Sequence, residues 1–256
     1  MDCVFINNTV SYSGGAITWD GSNGNILGST FTDNAALNGG GLSWWGINGS
    51  LSSSTFTDNL ANGSGGGVIW WGHGTNGTIT NSSFINNTAS SYGGAFCLDN
   101  GAIYCILTNC IFIGNSARWG GGVSLAGANG ILSDSTFINN FASTSGGGIS
   151  CWEDSFNSTI FNSTFINNTG NAGAILFWEV KGYIVNCNFI NCKSISSNGI
   201  YAHRDLIITN GKGIVYAFVN GTLTGISIVV LNNETYYYPP NTNINFTNKN
   251  THKLKT

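Results

Sequence analysis

The chain has 256 residues, a net charge of −3, only 7% charged residues, 37 glycines and two prolines. So little charge beside 12% aromatics excludes a disordered chain, and the weak net charge argues against nucleic acid or an anionic membrane as a partner. No apolar run reaches the roughly 18 residues of a membrane-spanning helix, and Ser, Thr, Asn, Gly, Ile and Phe favour strands joined by tight turns.

From the first residues the chain repeats itself. Phenylalanine followed three places later by asparagine recurs at Phe5/Asn8, Phe31/Asn34, Phe56/Asn59, Phe84/Asn87, Phe112/Asn115, Phe137/Asn140 and Phe165/Asn168. An eighth copy, Phe189, has Cys192 in place of the asparagine. The intervals of 26, 25, 28, 28, 25, 28 and 24 residues match the period of a solenoid, in which each supersecondary unit stacks on the next. Because Cys3-Val4-Phe5 already lies inside a unit, the chain reads as a segment of a longer protein.

Each unit offers three apolar stretches. One begins at Ile26, Leu51, Ile79, Leu107, Leu132, Ile160 or Ile184 and ends five residues later at the phenylalanine. A second follows glycine clusters such as Gly14-Gly15-Ala16-Ile17 and Gly65-Gly66-Gly67-Val68. The third connection often carries Asn-Gly, as at Asn23-Gly24, Asn48-Gly49, Asn76-Gly77, Asn100-Gly101 and Asn129-Gly130, residues that tolerate the positive φ of a corner. Alternation in Ile17-Thr18-Trp19, Leu42-Ser43-Trp44 and Val68-Ile69-Trp70 is that of a strand with one buried face. The pattern predicts an all-β chain folded as a parallel β-helix of about eight coils over residues 1–205, with Phe on Phe and an asparagine ladder at one corner. Cys3, Cys110 and Cys187 take the slot held elsewhere by Ser29, Ser54, Ser82, Ser135 and Ser163, so they read as small buried residues several rungs apart and not as a disulfide framework.

Past Leu206 the period fails. Residues 206–256 read as a β-rich cap or the start of a further β domain: Ile226 to Leu231 and Thr235 to Tyr238 form a hairpin, and a poorly ordered tail follows Pro239-Pro240.

The tandem Gly-Gly-Ala-Ile at Gly14–Ile17, Gly-Gly-Ala-Phe at Gly93–Phe96 and the repeated Phe-x-x-Asn resemble the repeats of chlamydial polymorphic outer-membrane proteins. They are also similar to the adhesin-like surface proteins of methanogenic archaea, through Ser-Thr-Phe-Ile-Asn-Asn at Ser135–Asn140 and Ser163–Asn168. The resemblance covers roughly residues 1–203 and implies a right-handed β-helix on a cell surface, with adhesion to a cell-surface or extracellular polysaccharide or protein as its role.

Two irregularities carry possible chemistry. Glu153, Glu179 and Asp205 recur at 26-residue spacing, with Arg204 beside the last. Stacked carboxylates repel unless a cation or proton is shared, so this column suits a calcium site or the acid/base pair of a polysaccharide lyase or glycoside hydrolase. Polar residues aligned on a solvated turn are the plainer reading. Trp45, Trp71, Trp152 and Trp178 follow the glycine-led strands by one place and are expected to face outward as platforms for sugar rings. The preferred reading is a non-enzymatic, extracellular adhesin-like segment without a cofactor, and the carboxylate column is the enzymatic alternative. Sequons such as Asn62-Gly63-Ser64 and Asn86-Asn87-Thr88 suit a surface protein, although the composition alone generates many.

Overall fold

The computed structural model describes residues 2–72, 75–99, 101–127, 129–152, 157–178 and 182–194, together with strands at 200–202, 206–209, 215–217, 227–231 and 234–238. It is a parallel β-solenoid of about seven turns with no helix among the described residues.

Four parallel sheets run along it. The Phe sheet has eight strands, from Val4–Ile6 to Asn188–Ile190, and the Ile/Leu sheet has eight, from Asn25–Leu27 to Leu206–Thr209. The glycine-led sheet has nine, from Ile17–Trp19 to Val215–Ala217. A narrow sheet of seven two-residue strands follows the Phe sheet, from Ala35–Ala36 to Lys193–Ser194.

The expected stretch from Ile26 to Phe31 is therefore two strands, Asn25–Leu27 and Thr30–Thr32, bent at Gly28. The bend recurs at Ser53, Asn81, Asn109, Asp134, Asn162 and Asn186, all with φ between 49° and 55°. Small polar residues that bond their own backbone hold this left-handed conformation.

Register is strict: each Phe pairs with the next, as Phe56 with Phe84 and Phe84 with Phe112. The eight rings stack at centroid separations from 4.4 to 5.1 Å. The six inner rings, Phe31 to Phe165, are fully buried. Beside them Trp19, Trp44 and Trp70 form the expected inner stack, at 5.3 and 4.8 Å.

That stack explains the Asn-Gly corners better than backbone freedom does. Asn23, Asn48 and Asn76 carry the positive φ, at 58°, 55° and 57°. The following glycine is needed for space: a Cβ on Gly49 would lie 2.4 Å from Trp44 Cε2, and one on Gly77 2.6 Å from Trp70 Cζ2. Where the inner residue is Leu125, a Cβ on Gly130 meets nothing closer than 3.4 Å.

Polar ladders close the remaining corners. Asn115 Oδ1 accepts from the backbone N–H of Asn87 at 2.9 Å and from its Nδ2 at 3.0 Å, while Asn115 Nδ2 donates to Phe84 O and to Asn140 Oδ1. The same pattern runs from Asn34 to Asn140. Serine hydroxyls form a second ladder: Ser82 Oγ accepts from Ser54 N and donates to Thr80 O. Cys110 and Cys187 take these serine places with buried thiols that donate to backbone carbonyls, Cys110 to Thr108 O and Cys187 to Val185 O, and neither forms a disulfide.

Parallel pairing continues past residue 205, through Leu206–Thr209 on Gly182–Val185 and Val215–Ala217 on Ile200–Ala202. Ser227–Leu231 and Glu234–Tyr238 form the expected antiparallel hairpin. The tail after it lies outside the described residues.

Candidate binding face

The glycine-led sheet departs from simple alternation. The first and third residues of each strand point into the core, so the middle residue points out. Yet Ser43, Ile69, Cys97, Ser124, Ser150 and Leu176, all middle residues, are at most 3% exposed. Something covers the outside of this sheet.

The cover is aromatic. The residue after each strand is hydrogen-bonded through its N–H to the coil before: Trp45 to Trp19 O, Trp71 to Trp44 O, Asp99 to Trp70 O, Ala126 to Leu98 O, Trp152 to Leu125 O and Trp178 to Cys151 O. In two coils, at Asp99 and Ala126, this column lacks a ring. In those same coils the opposite flank supplies one, Tyr92 and Trp119, each just ahead of its glycine pair and bridged to one another. Six consecutive coils thus carry one outer aromatic each: Trp45, Trp71, Tyr92, Trp119, Trp152 and Trp178.

These rings touch. Trp45 stacks on Trp71 at 4.6 Å, and Tyr92 on Trp119 at 4.6 Å. Trp152 meets Tyr92 and Trp119 edge-on at 5.8 and 5.9 Å and lies 6.4 Å from Trp178. Trp71 Nε1 donates to Ser43 Oγ at 2.8 Å, which shows one indole lying back over the preceding rung. The four expected platforms, Trp45, Trp71, Trp152 and Trp178, are half-buried and not fully exposed: Trp45 and Trp71 stack on each other and Trp152 lies against Trp178. Tyr92 and Trp119 escaped the sequence reading because they sit on the other flank; their signal was an aromatic directly before a Gly-Gly pair.

The first glycine-led strand, Ile17–Trp19, is the edge of its sheet. There the middle residue, Thr18, is exposed, and a cavity of about 450 Å³ is lined by Val10, Tyr12, Ser13, Thr18, Asp20 and Trp45. Trp45, which stacks on Trp71, lines it together with Tyr12 and with Asp20, the residue after the first glycine-led strand as Trp45 is after the second. Thr18 Oγ1 donates to Ser13 O at 2.7 Å, which fixes the floor.

The other predicted group has no described geometry. Glu153, Glu179, Arg204 and Asp205 all lie outside the described residues, as do His73 and His203. One point of register bears on that column. Tyr201 pairs with Leu176, and Ile200 with Ile175, so Asp205 is five residues beyond the partner of Ile175, whereas Glu179 is four beyond Ile175. Among the described residues no cluster of His, Cys, Asp or Glu is arranged to hold a metal ion. Asp33, Asp58 and Asp134 occupy positive-φ corners and serve the turn.

The buried thiols are inert. Burial pushes Cys110 and Cys187 up to about 11, against smaller opposing effects of backbone hydrogen bonds with Ser82 and Thr108, and with Ser163 and Val185. Cys97 and Cys105 are raised further by burial, with smaller contributions from Asp99 and Cys110 respectively.

Residues 2–18 and 134–151 match the family model of the Chlamydia polymorphic membrane protein (Chlamydia_PMP) repeat. Both stretches take in a Phe strand, its ladder asparagine and the following glycine-led strand, so the protein is a parallel β-solenoid carrying repeats of that type. No curated protein and no solved structure matches the chain.

Proposed function

We propose that this solenoid is part of a cell-surface protein and presents its aromatic-covered face to saccharides, without catalysing a reaction. The observation that carries the reading is the outer aromatic cover, one ring in each of six coils, opening into the cavity between Tyr12 and Trp45. Rings with one accessible face and hydroxyl or carboxylate groups beside them suit pyranose rings, whose C–H faces stack while their hydroxyls are held at the edge. Asp20 accepts hydrogen bonds from sugar hydroxyls, and Thr18 and Ser13 line the floor. The surface placement is supported by the repeat type, since the matching model describes repeats of a membrane protein. A rigid stack of hydrogen-bonded coils holds such a face at a fixed pitch, which suits polymers better than single sugars.

A glycan array followed by calorimetry tests this. Neutral oligosaccharides are expected to bind the wild-type chain and to lose most of their affinity with Trp45→Ala, while Trp71→Ala and Trp178→Ala weaken longer oligomers. An array with no ligand refutes the reading. Depolymerisation of a polysaccharide by the wild-type chain, abolished in Glu179→Gln, replaces it with the enzymatic one.

A further inference from the structure

Residues 2–180 contain nine Asp and Glu but a single Lys or Arg, Arg118. That cation does not sit against a carboxylate: among the described residues Arg118 forms no ion pair, and its guanidinium carbon lies 4.1 Å from the centroid of the Trp119 ring. The side chain is exposed, whereas Trp119 is half-buried with Tyr92 stacked on it. Its backbone is fixed: Arg118 O accepts from Thr144 N at 3.0 Å and from Thr144 Oγ1 at 2.7 Å. The result is an exposed cation held over a ring of the aromatic cover, with its backbone tied to Thr144 on the next coil.

A guanidinium stacked on a ring loses little further freedom when it binds, and its fork matches a carboxylate with two parallel hydrogen bonds. Within residues 2–180 no other cationic side chain gives an anion reason to bind. We infer that Arg118 is the anchor for the carboxylate of a uronic-acid sugar, a second subsite on the face whose first is the Trp45 cavity. This rests on the saccharide-binding reading above and adds the ligand class: an acidic polysaccharide, with neutral units at the Trp45 end and a uronate at Arg118.

The test is calorimetric titration of the full chain with uronic-acid oligosaccharides, neutral oligosaccharides and poly-glutamate. Wild type is expected to bind uronates with an affinity that falls as salt rises. Arg118→Gln is expected to reduce uronate affinity about tenfold while leaving neutral binding and the urea midpoint unchanged, and Arg118→Lys to recover only part of the loss, since an ammonium lacks the fork. Uronate binding unaltered by Arg118→Gln, or equal binding of poly-glutamate, overturns the inference. Neutral binding without uronate binding overturns it too and leaves the proposed function standing, whereas no saccharide binding at all removes both.

Discussion

The asparagine ladder gives the sharpest quantitative test of how this fold is held together. Asn115 is fully buried and its amide makes four hydrogen bonds, to Asn87 N, Asn87 Nδ2, Phe84 O and Asn140 Oδ1, at 2.9 to 3.0 Å. In Asn115→Ala, Asn87 Nδ2 keeps Phe56 O and Asn140 Oδ1 keeps Asn115 N, so neither side chain is orphaned. The backbone N–H of Asn87 has no such reserve. Stranding one buried N–H costs about 1–3 kcal/mol, and each of the other three bonds is worth about 0.5–1.5 kcal/mol. Their sum points to a loss on the order of 4 kcal/mol, carried to neighbouring coils because stability in a solenoid is shared with nearest neighbours. The chain supplies its own control at Cys192, whose sulfur takes the place of the amide oxygen toward Asn168 and donates to Phe165 O at 3.4 Å. Asn115→Cys should therefore cost clearly less than Asn115→Ala. Urea unfolding gives the energies and hydrogen exchange at Asn87 locates the defect. A loss below about 1 kcal/mol for the alanine variant, with Asn87 still protected, would show that the ladder is decoration and that the rings alone specify the stack.

Other substitutions probe packing, titration and the cover. Gly49→Ala forces a methyl group onto Trp44 and is expected to cost about 1–3 kcal/mol, whereas Gly130→Ala, facing Leu125 at 3.4 Å, should cost less than about 1 kcal/mol in the same urea titration. Phe112→Ala, at the centre of the ring stack, should cost about 3–5 kcal/mol by thermal or urea unfolding. Burial raises the thiols of Cys97, Cys105, Cys110 and Cys187 in the folded chain above their unfolded values, so the native state holds its protons longer. The stability they contribute is complete below pH about 8.5 and falls as pH rises through about 11, which a urea midpoint measured across that alkaline range will follow. Cys97 is 3% exposed on the outer side of its strand, so Tyr92→Ala combined with Trp152→Ala should make it reactive toward a maleimide at neutral pH. An unchanged labelling rate would mean that these rings do not cover the sheet.

What could be read from the sequence was whatever repeats in one column. The Phe stack, the asparagine ladder and the serine slot filled by Cys110 and Cys187 each need the same residue, or one of its size, on successive rungs, because the partner is the copy on the next coil; the inner Trp stack does so over its three rungs. Two local features were hidden. The bend at Ser53 or Asn81 falls inside what looks like one apolar stretch, although the left-handed residue shifts the alternation by one place, so that Leu51 and Phe56, five residues apart, both point inward. The glycine after Asn48 looked like a turn residue, but its hydrogen side chain matters because an indole lies against it.

The outer face obeys a looser rule, and this is why only part of it was visible. Covering a strand requires a ring above it and does not specify the flank from which the ring comes. Trp45, Trp71, Trp152 and Trp178 share one column and were found; Tyr92 and Trp119 reach the same surface from the opposite edge and were not. The switch of flank also places Arg118 on the surface, since it precedes Trp119 in the chain and stacks on it. A cover drawn wholly from the Trp45 column would have left residue 118 beside the glycine turn with no ring beneath it. The coils that break the pattern therefore bring the one cation of residues 2–180 onto the aromatic face, beside Trp119 and Tyr92.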